Sequence, residues 1–299
     1  MPVCDELGKR MKENYEQIAQ TKLMRRTPVA IRIDGKAFHT FTRGFRKPFD
    51  EILATTMQET MKYLCENIQG CVLGYTQSDE ITLILQDYAT LETDAWFGYK
   101  VQKICSIAAS MATMAFNKYF RANIAEFILT EDTKEVIRTG LPKIPYIIDD
   151  YYGLTDSEKD YVQTLLKAME KGAMFDARCF NIPKEEVTNL VYWRQLDAIR
   201  NATQAIGQSV FSQKELNNKS CNMIISMLEE KGIFIQDFKN EYIYGSCCFK
   251  DDRQKPFVDI YEHGYHPIGW TIDRNIPVFK GEDREYIERL INFKEEENK

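Results

Sequence analysis

The sequence predicts an α/β protein, more narrowly α+β: a ferredoxin-like βαββαβ core with a helical insertion and a C-terminal α+β extension. Three observations predict it. Up to Phe180 the chain carries four short strand-like runs and two helical patterns in the order β, α, β, β, α, β, the split βαβ arrangement with helices on one face of an antiparallel sheet. Polar Gln77-Ser78-Asp79-Glu80 between the second and third runs is a hairpin signal. Residues 121–172 separate the second helix from its strand, as an insertion would.

Residues 5–24 have helical spacing and many charges, a solvated helix ahead of the core. Pro28-Val29-Ala30-Ile31-Arg32-Ile33-Asp34-Gly35 is a β-branched run opened by Pro and closed by Gly, hence a strand ending at a turn. Pro48-Phe49-Asp50 opens a helix to about residue 67, in which Ile52, Leu53, Thr56, Met57, Thr60, Met61 and Leu64 follow a 3.6 period. Cys71–Thr76 and Ile81–Leu85 form the hairpin. Residues 96–120, rich in Ala, Ser, Ile and Met with few charges, give a second, largely buried helix. Ala173–Phe180 alternates as a strand. Beyond Pro183 a helix covers about 184–209, another about 213–231, and Tyr242-Ile243-Tyr244-Gly245 is a short strand. The expected division is a catalytic domain over 1–210 and an extension over 211–299, with a frayed charged tail from Lys294 to Lys299.

Composition bounds the function. With 44% hydrophobic and 28% charged residues the chain reads as soluble and globular. No run nears the roughly 18 apolar residues of a spanning helix, and Met-Pro-Val-Cys-Asp-Glu is no signal peptide. The expectation is a cytoplasmic protein without a membrane partner. Eight cysteines form no CxxC pair, and His263 and His266 lie too far from other ligand types for zinc, so scattered core thiols are expected. Net charge is −6, but residues 1–50 hold eleven Lys or Arg against six Asp or Glu, a balance of +5 that leaves −11 for the remainder. A basic zone on an acidic protein can grip phosphates. Solvated helix lysines such as Lys9 and Lys12 would give the same count.

The chemistry rests on two carboxylates. In βαββαβ topology the first and third strands are antiparallel neighbours, which brings Asp34, closing the first, beside Asp79, opening the third. Two acidic groups at one sheet edge repel unless they share a cation or a proton. Mg²⁺ takes few carboxylates, keeps waters and collects substrate phosphates. A pair of such ions activates a hydroxyl and neutralises a leaving pyrophosphate. Glu80 is a third acidic ligand or a supporting partner, although strand alternation turns it away from Asp79. Gly35 lets the backbone approach an ion or phosphate. Each Asp alone could equally be a turn former; their joint placement raises the functional reading.

These residues carry a resemblance. Arg32-Ile33-Asp34-Gly35-Lys36-Ala37-Phe38-His39 with Phe45-Arg46-Lys47-Pro48 resembles the first motif of the tRNA-His guanylyltransferase family. Gly74-Tyr75-Thr76-Gln77-Ser78-Asp79-Glu80 resembles its second metal motif, and Phe175-Asp176-Ala177-Arg178 and Tyr192-Trp193-Arg194-Gln195-Leu196-Asp197 are further matches. The four blocks fall in order over about residues 29–205.

The resemblance implies a polymerase/cyclase-type palm, two Mg²⁺ ions, and 3′-to-5′ addition of nucleotides to a tRNA 5′ end with GTP and ATP as substrates. It implies that Asp34 and Asp79 ligate metal with the Gly35 carbonyl, and that Glu80 supports them. It places Lys36, Ala37, Phe38, His39, Lys47 and Ser78 on nucleotide or triphosphate, Lys100 and Lys103 on phosphates, and Arg194, Arg200 and Asn201 on RNA. A homotetramer is implied as well. Where eukaryotic members carry His-Ile-Asn-Asn-Leu-Tyr-Asn, this chain has Ile199-Arg200-Asn201-Ala202-Thr203-Gln204-Ala205, matching only at Asn201. That departure favours the polymerase-like branch, which repairs truncated tRNA 5′ ends against a template.

Other readings stay beside it. Lys47 before Pro48 sits at an expected helix N-terminus that favours anions, but a solvated lysine is as good an account. Trp193 with Arg194 could stack a base or seal the core, and the core is the expectation for Trp193; Tyr242, Tyr244 and Phe249 are expected to be buried strand aromatics rather than stacking surfaces. A nucleotidyl cyclase-like palm would need no basic RNA grip. A non-catalytic RNA-binding module would have no use for clustered Asp34, Asp79 and Glu80.

Overall fold

A computed structural model describes residues 6–128, 155–250, 257–259, 264–266 and 269–291. The expected strands and helices of the core form in order. Strand β1 is Val29–Gly35, followed by a one-turn helix at Phe38–Phe41 and a long helix at Glu51–Asn67. The hairpin is β2, Cys71–Gln77, and β3, Glu80–Leu85. A second long helix, Val101–Ile128, and strand β4, Phe175–Asn181, complete the unit. β1 lies between β3 and β4, antiparallel to both, and the strand order begins β4-β1-β3-β2. That is the βαββαβ core.

Two strands from the C-terminal stretch, β5 at Ser246–Lys250 and β8 at Trp270–Asp273, extend the same sheet to six. A separate two-stranded ribbon pairs β6, Phe257–Asp259, with β7, Gly264–His266. Both faces of the main sheet are covered, not one. Val29, Ile31, Ile33, Ile81 and Leu83 point into the cluster made with helices 51–67 and 101–128. Ala30, Leu73, Tyr75 and Ile84 point the other way, against Val187, Leu190 and Val191 of helix Val187–Val210. This explains why β1 and β3 read as nearly continuous apolar runs.

Several boundaries differ from the sequence reading. The solvated N-terminal helix is short, Glu6–Met11 with a wide turn over Lys12–Glu16, and buries none of its residues. The first long helix starts at Glu51, not Pro48, because Asp50 caps it: its carboxylate accepts from Leu53 N–H at 3.0 Å, and also takes Arg46 N–H and the Tyr161 hydroxyl. Lys47 therefore precedes a cis Pro48 in the loop and heads no helix.

The second long helix runs eight residues beyond Phe120, since Ile124 continues the buried stripe of Ile104, Ala108, Ala112 and Phe116. Of the expected insertion, 129–154 lies outside the described residues, as do Lys294–Lys299 and His263. The part that is described, helix Asp156–Lys171, starts at a Thr155–Glu158 capping box and adds Tyr161, Val162 and Leu165 to the main core.

The helix expected over 213–231 is broken into Gln213–Leu216 and Cys221–Glu229, with Asn218 at positive φ between them and Ser212 and Ser220 as caps. Tyr242–Gly245 is no strand: Asn240–Tyr244 is a helical turn ended by Gly245 at φ +82°, and the strand begins at Ser246.

Candidate active site

The site forms where β1 ends and the β2–β3 hairpin turns. Gln77 pairs with Glu80, so Ser78 and Asp79 make a two-residue turn, with Ser78 in the left-handed region at φ 51°. Asp34 lies opposite Glu80 on β3 and opposite Asp176 on β4. The Gly35 N–H donates to the Asp79 carbonyl at 3.0 Å, which ties the two acidic segments together by backbone. Phe38 accounts for the glycine: a Cβ at Gly35 would meet its ring at 2.3–2.7 Å.

Electrostatics bear out the crowding. Burial pushes the Asp79 carboxyl above the usual carboxylate range, the Asp34 charge pushes it further, and the Ser78 hydroxyl, 3.1 Å from Oδ1, pulls it back. Glu80 is also raised by burial, an effect opposed by Arg194 and Arg32. Arg194 Nε donates to Glu80 Oε1 at 2.6 Å and Arg32 Nε lies 3.8 Å from Oε2. Among the described residues, no group of three or more His, Cys, Asp or Glu side chains is placed to hold a metal ion. Asp34 and Asp79 are a pair of hard oxygen donors with carbonyls beside them, a set that suits an ion completing its shell with water and phosphate.

The remaining candidates divide. Lys36, Ala37 and His39 are exposed beside Asp34, with Ala37 left-handed at φ 54° leading into the one-turn helix. Phe38 is not a contact residue by its side chain; it is 4% exposed in a cluster with Phe41, Phe116 and Phe175. Lys47 is exposed.

Lys100 and Lys103 are not brought to the carboxylates. The helix they begin touches Cys179 of β4 at Val101 and Phe175 at Thr113, and it is Phe175 that pairs with Gly35. Twelve residues of helix, roughly 18 Å, lie between. Arg194 is inside the protein, 6% exposed, with Nη2 on Asp197 at 2.5 Å and Nε on Glu80, so its guanidinium is committed. Arg200 is exposed and pairs with Asp197. Trp193, expected in the core, is 51% exposed.

Sequence reasoning missed a pocket of about 180 Å³ beside Ser78. Phe49, Met57 and Tyr242 give it apolar walls, and Gln58, Gln77 and Asn201 supply amides. Phe49 and Tyr242 stack at 4.8 Å. Only Asn201 and Ser78 were legible beforehand, because the walls come from segments nearly two hundred residues apart. Asp176 and Arg178, on the same face as Asp34 and Arg32, were within reach of strand alternation and register.

Known proteins are similar to this chain in sequence and in fold. A bacterial tRNA-His guanylyltransferase-like protein solved with ATP is 32% identical, with a TM-score of 0.70 over 96% of this chain and all of that one. Its counterpart solved with GTP gives 31% and 0.66. An uncharacterized protein, R259, of Acanthamoeba polyphaga mimivirus is 28% identical over 76% of this chain and 71% of its own length. The tRNA-His guanylyltransferase of Schizosaccharomyces pombe is 30% identical over 35% of this chain and 38% of its own. The family model for tRNA-His guanylyltransferase matches residues 8–183, more than half of the chain. With the carboxylate edge inside that span, the chain belongs to the tRNA-His guanylyltransferase family.

Proposed function

We propose that this chain is a metal-dependent nucleotidyltransferase that adds nucleotides, in the 3′-to-5′ direction, to the 5′ end of tRNA. The observation that carries the reading is the backbone-linked pair Asp34 and Asp79 at the sheet edge, with a pocket opening beside Ser78. Relatives solved with ATP and GTP support nucleoside triphosphates as substrates.

Asp34, Asp79 and the Gly35 carbonyl would hold two Mg²⁺ ions. Burial first, and the Asp34 charge after it, raise the Asp79 pKa, and a bound cation would neutralise the pair. When bound, the ions would activate the attacking hydroxyl and compensate the charge of the leaving group. The residues do the rest. The pocket, smaller than the roughly 300–1,000 Å³ of drug-sized sites, suits one nucleobase set against the stacked Phe49–Tyr242 pair and within reach of the amides of Gln77 and Asn201. Ser78, Lys47, His39, Lys36 and the backbone at Ala37 and Phe38 then face the triphosphate. Glu80 acts at one remove, fixing Arg194 and Arg32 under the edge. In the reaction, ATP first adenylylates the 5′-monophosphate with release of pyrophosphate; the 3′-hydroxyl of the incoming nucleotide then forms the new O–P bond as AMP leaves.

The departure at Ile199–Ala205 supports the template-dependent repair branch over addition restricted to tRNA-His. Exposed Leu7, Met11, Tyr15 and Ile18, clustered in the N-terminal segment, support assembly into a homotetramer. Among the described residues no helix is long and apolar enough to cross a membrane, consistent with a cytoplasmic tRNA enzyme.

The test is incubation with Mg²⁺, labelled GTP and a 5′-truncated tRNA. Label at the RNA 5′ end, abolished in Asp79→Ala, supports the reading. A cyclic nucleotide product, or binding without product, defeats it. Comparing full-length tRNA-His with truncated tRNAs of other identities decides the branch.

A further inference from the structure

We propose that Trp193 is a stacking platform for the terminal base of the RNA substrate, on the sheet face that carries Asp34; this rests on the tRNA reading above. Trp193 breaks the pattern of its helix. Val191 and Gln195 beside it are fully buried and Arg194 nearly so, yet Trp193 is 51% exposed and Leu196, three residues on, is 46% exposed. An isolated exposed aromatic needs no explanation, but this one is held in place. The Arg194 guanidinium lies 4.3 Å from the ring centroid and that of Arg32 lies 5.7 Å away. Arg194 is itself locked between Glu80 and Asp197. An aromatic fixed before binding loses little freedom when a base stacks on it.

Its position favours the RNA end. Arg32 precedes Asp34 by two residues on β1, so the two share a face about 7 Å apart along the strand. The ring therefore lies one short step from the carboxylates. Arg178, paired with Arg32 across the strands, is half-exposed, and Arg200 lies two helical turns beyond Trp193. The Arg178–Asp176 pair is solvent-facing and of small net worth, and exposed Arg200 can exchange Asp197, which Arg194 still holds, for a phosphate. The incoming nucleotide already has the pocket beside Ser78. An open ring flanked by arginines suits the flat end of a larger nucleic acid, and stacking tolerates any base, as template-directed repair of many tRNAs requires.

The experiment compares the full chain with Trp193→Ala and Trp193→Phe, using a tRNA acceptor minihelix with a 5′-monophosphate as probe. In the wild type, the minihelix quenches tryptophan fluorescence and GTP alone does not. Trp193→Ala raises KM for the minihelix about tenfold to hundredfold with KM for GTP unmoved, and Trp193→Phe restores most of it. Unchanged KM for RNA in Trp193→Ala, or no quenching by the minihelix, overturns the platform. So does a change in oligomeric mass in Trp193→Ala with RNA affinity intact, which would mean that a second copy covers the ring. If the wild type transfers no nucleotide, the function reading fails, while quenching in Asp79→Asn still decides the platform.

Discussion

Glu80 accepts from the Arg194 guanidinium on one oxygen, and the Arg32 guanidinium lies 3.8 Å from the other. With side chains 8% and 9% exposed, Arg194 and Glu80 form a buried pair. Arg194→Ala leaves the carboxylate uncompensated, which costs about 3–5 kcal/mol, whereas Arg194→Met combined with Glu80→Gln recovers most of that in urea unfolding. Asp79 is a separate case. Its folded pKa is raised, so the unfolded chain ionises first as pH rises, and the folded state loses stability between the unfolded and the folded pKa. Asp79→Asn should therefore raise the Tm of the metal-free protein near neutral pH, with the gain vanishing below about pH 3, while nucleotide addition falls about 10³-fold or more. Calorimetry across pH checks the first and the tRNA labelling assay the second; an unchanged neutral-pH Tm would remove the argument that burial and the Asp34 charge disfavour the Asp79 carboxylate.

At the scale of elements, Gly245 decides what Tyr242–Gly245 becomes. The Tyr75 hydroxyl donates to the Tyr244 carbonyl at 2.8 Å, and a Cβ on Gly245 would sit 2.6 Å from the Thr76 carbonyl and 2.7 Å from that hydroxyl. Gly245→Ala should destabilise the protein by about 1 kcal/mol or more, and it should slow nucleotide addition, because Tyr242 and Thr76 both line the pocket. Thermal unfolding and KM for GTP measure the two effects. Alternating Tyr-Ile-Tyr suggested a strand, but the positive φ at Gly245 and contact with Tyr75 are tertiary facts. Helix Val187–Val210 teaches the same point. Its buried stripe is Val187, Leu190, Val191, Arg194, Ala198 and Ala202, so an arginine occupies a core position and Trp193 lies off the stripe. The sequence reading had put Trp193 in the core, and the resemblance had put Arg194 on RNA.

At the scale of the whole molecule, Gln195 fastens the C-terminal segment to the core. Fully buried, it donates to the Pro277 carbonyl and accepts from the Phe279 N–H, each at 2.9 Å. Phe279, Ile287 and Ile291 then close the second hydrophobic cluster over Tyr75. Gln195→Leu leaves a buried donor and acceptor unmade, each costing about 1–3 kcal/mol. The expected outcome is faster hydrogen exchange and proteolysis around residues 275–291, with β1–β4 still protected; uniform loosening would show instead that the molecule opens as one unit.

The order of strands and helices, the hairpin at Ser78–Asp79 and the approach of Asp34 to that turn were all contained in local pattern, because periodicity, turn chemistry and the βαββαβ pairing rule act over short stretches of chain. The motifs around Asp34 and Asp79 carried the family as well. Only the tertiary structure decided that the sheet has two covered faces, that Lys100 and Lys103 begin their helix far from the acidic edge, that Arg194 is inside and Trp193 outside, and that Phe49, Asn201 and Tyr242 meet in one pocket. Those facts depend on which surface a distant segment comes to cover, and a single chain's periodicity records that a face is apolar without recording what lies against it.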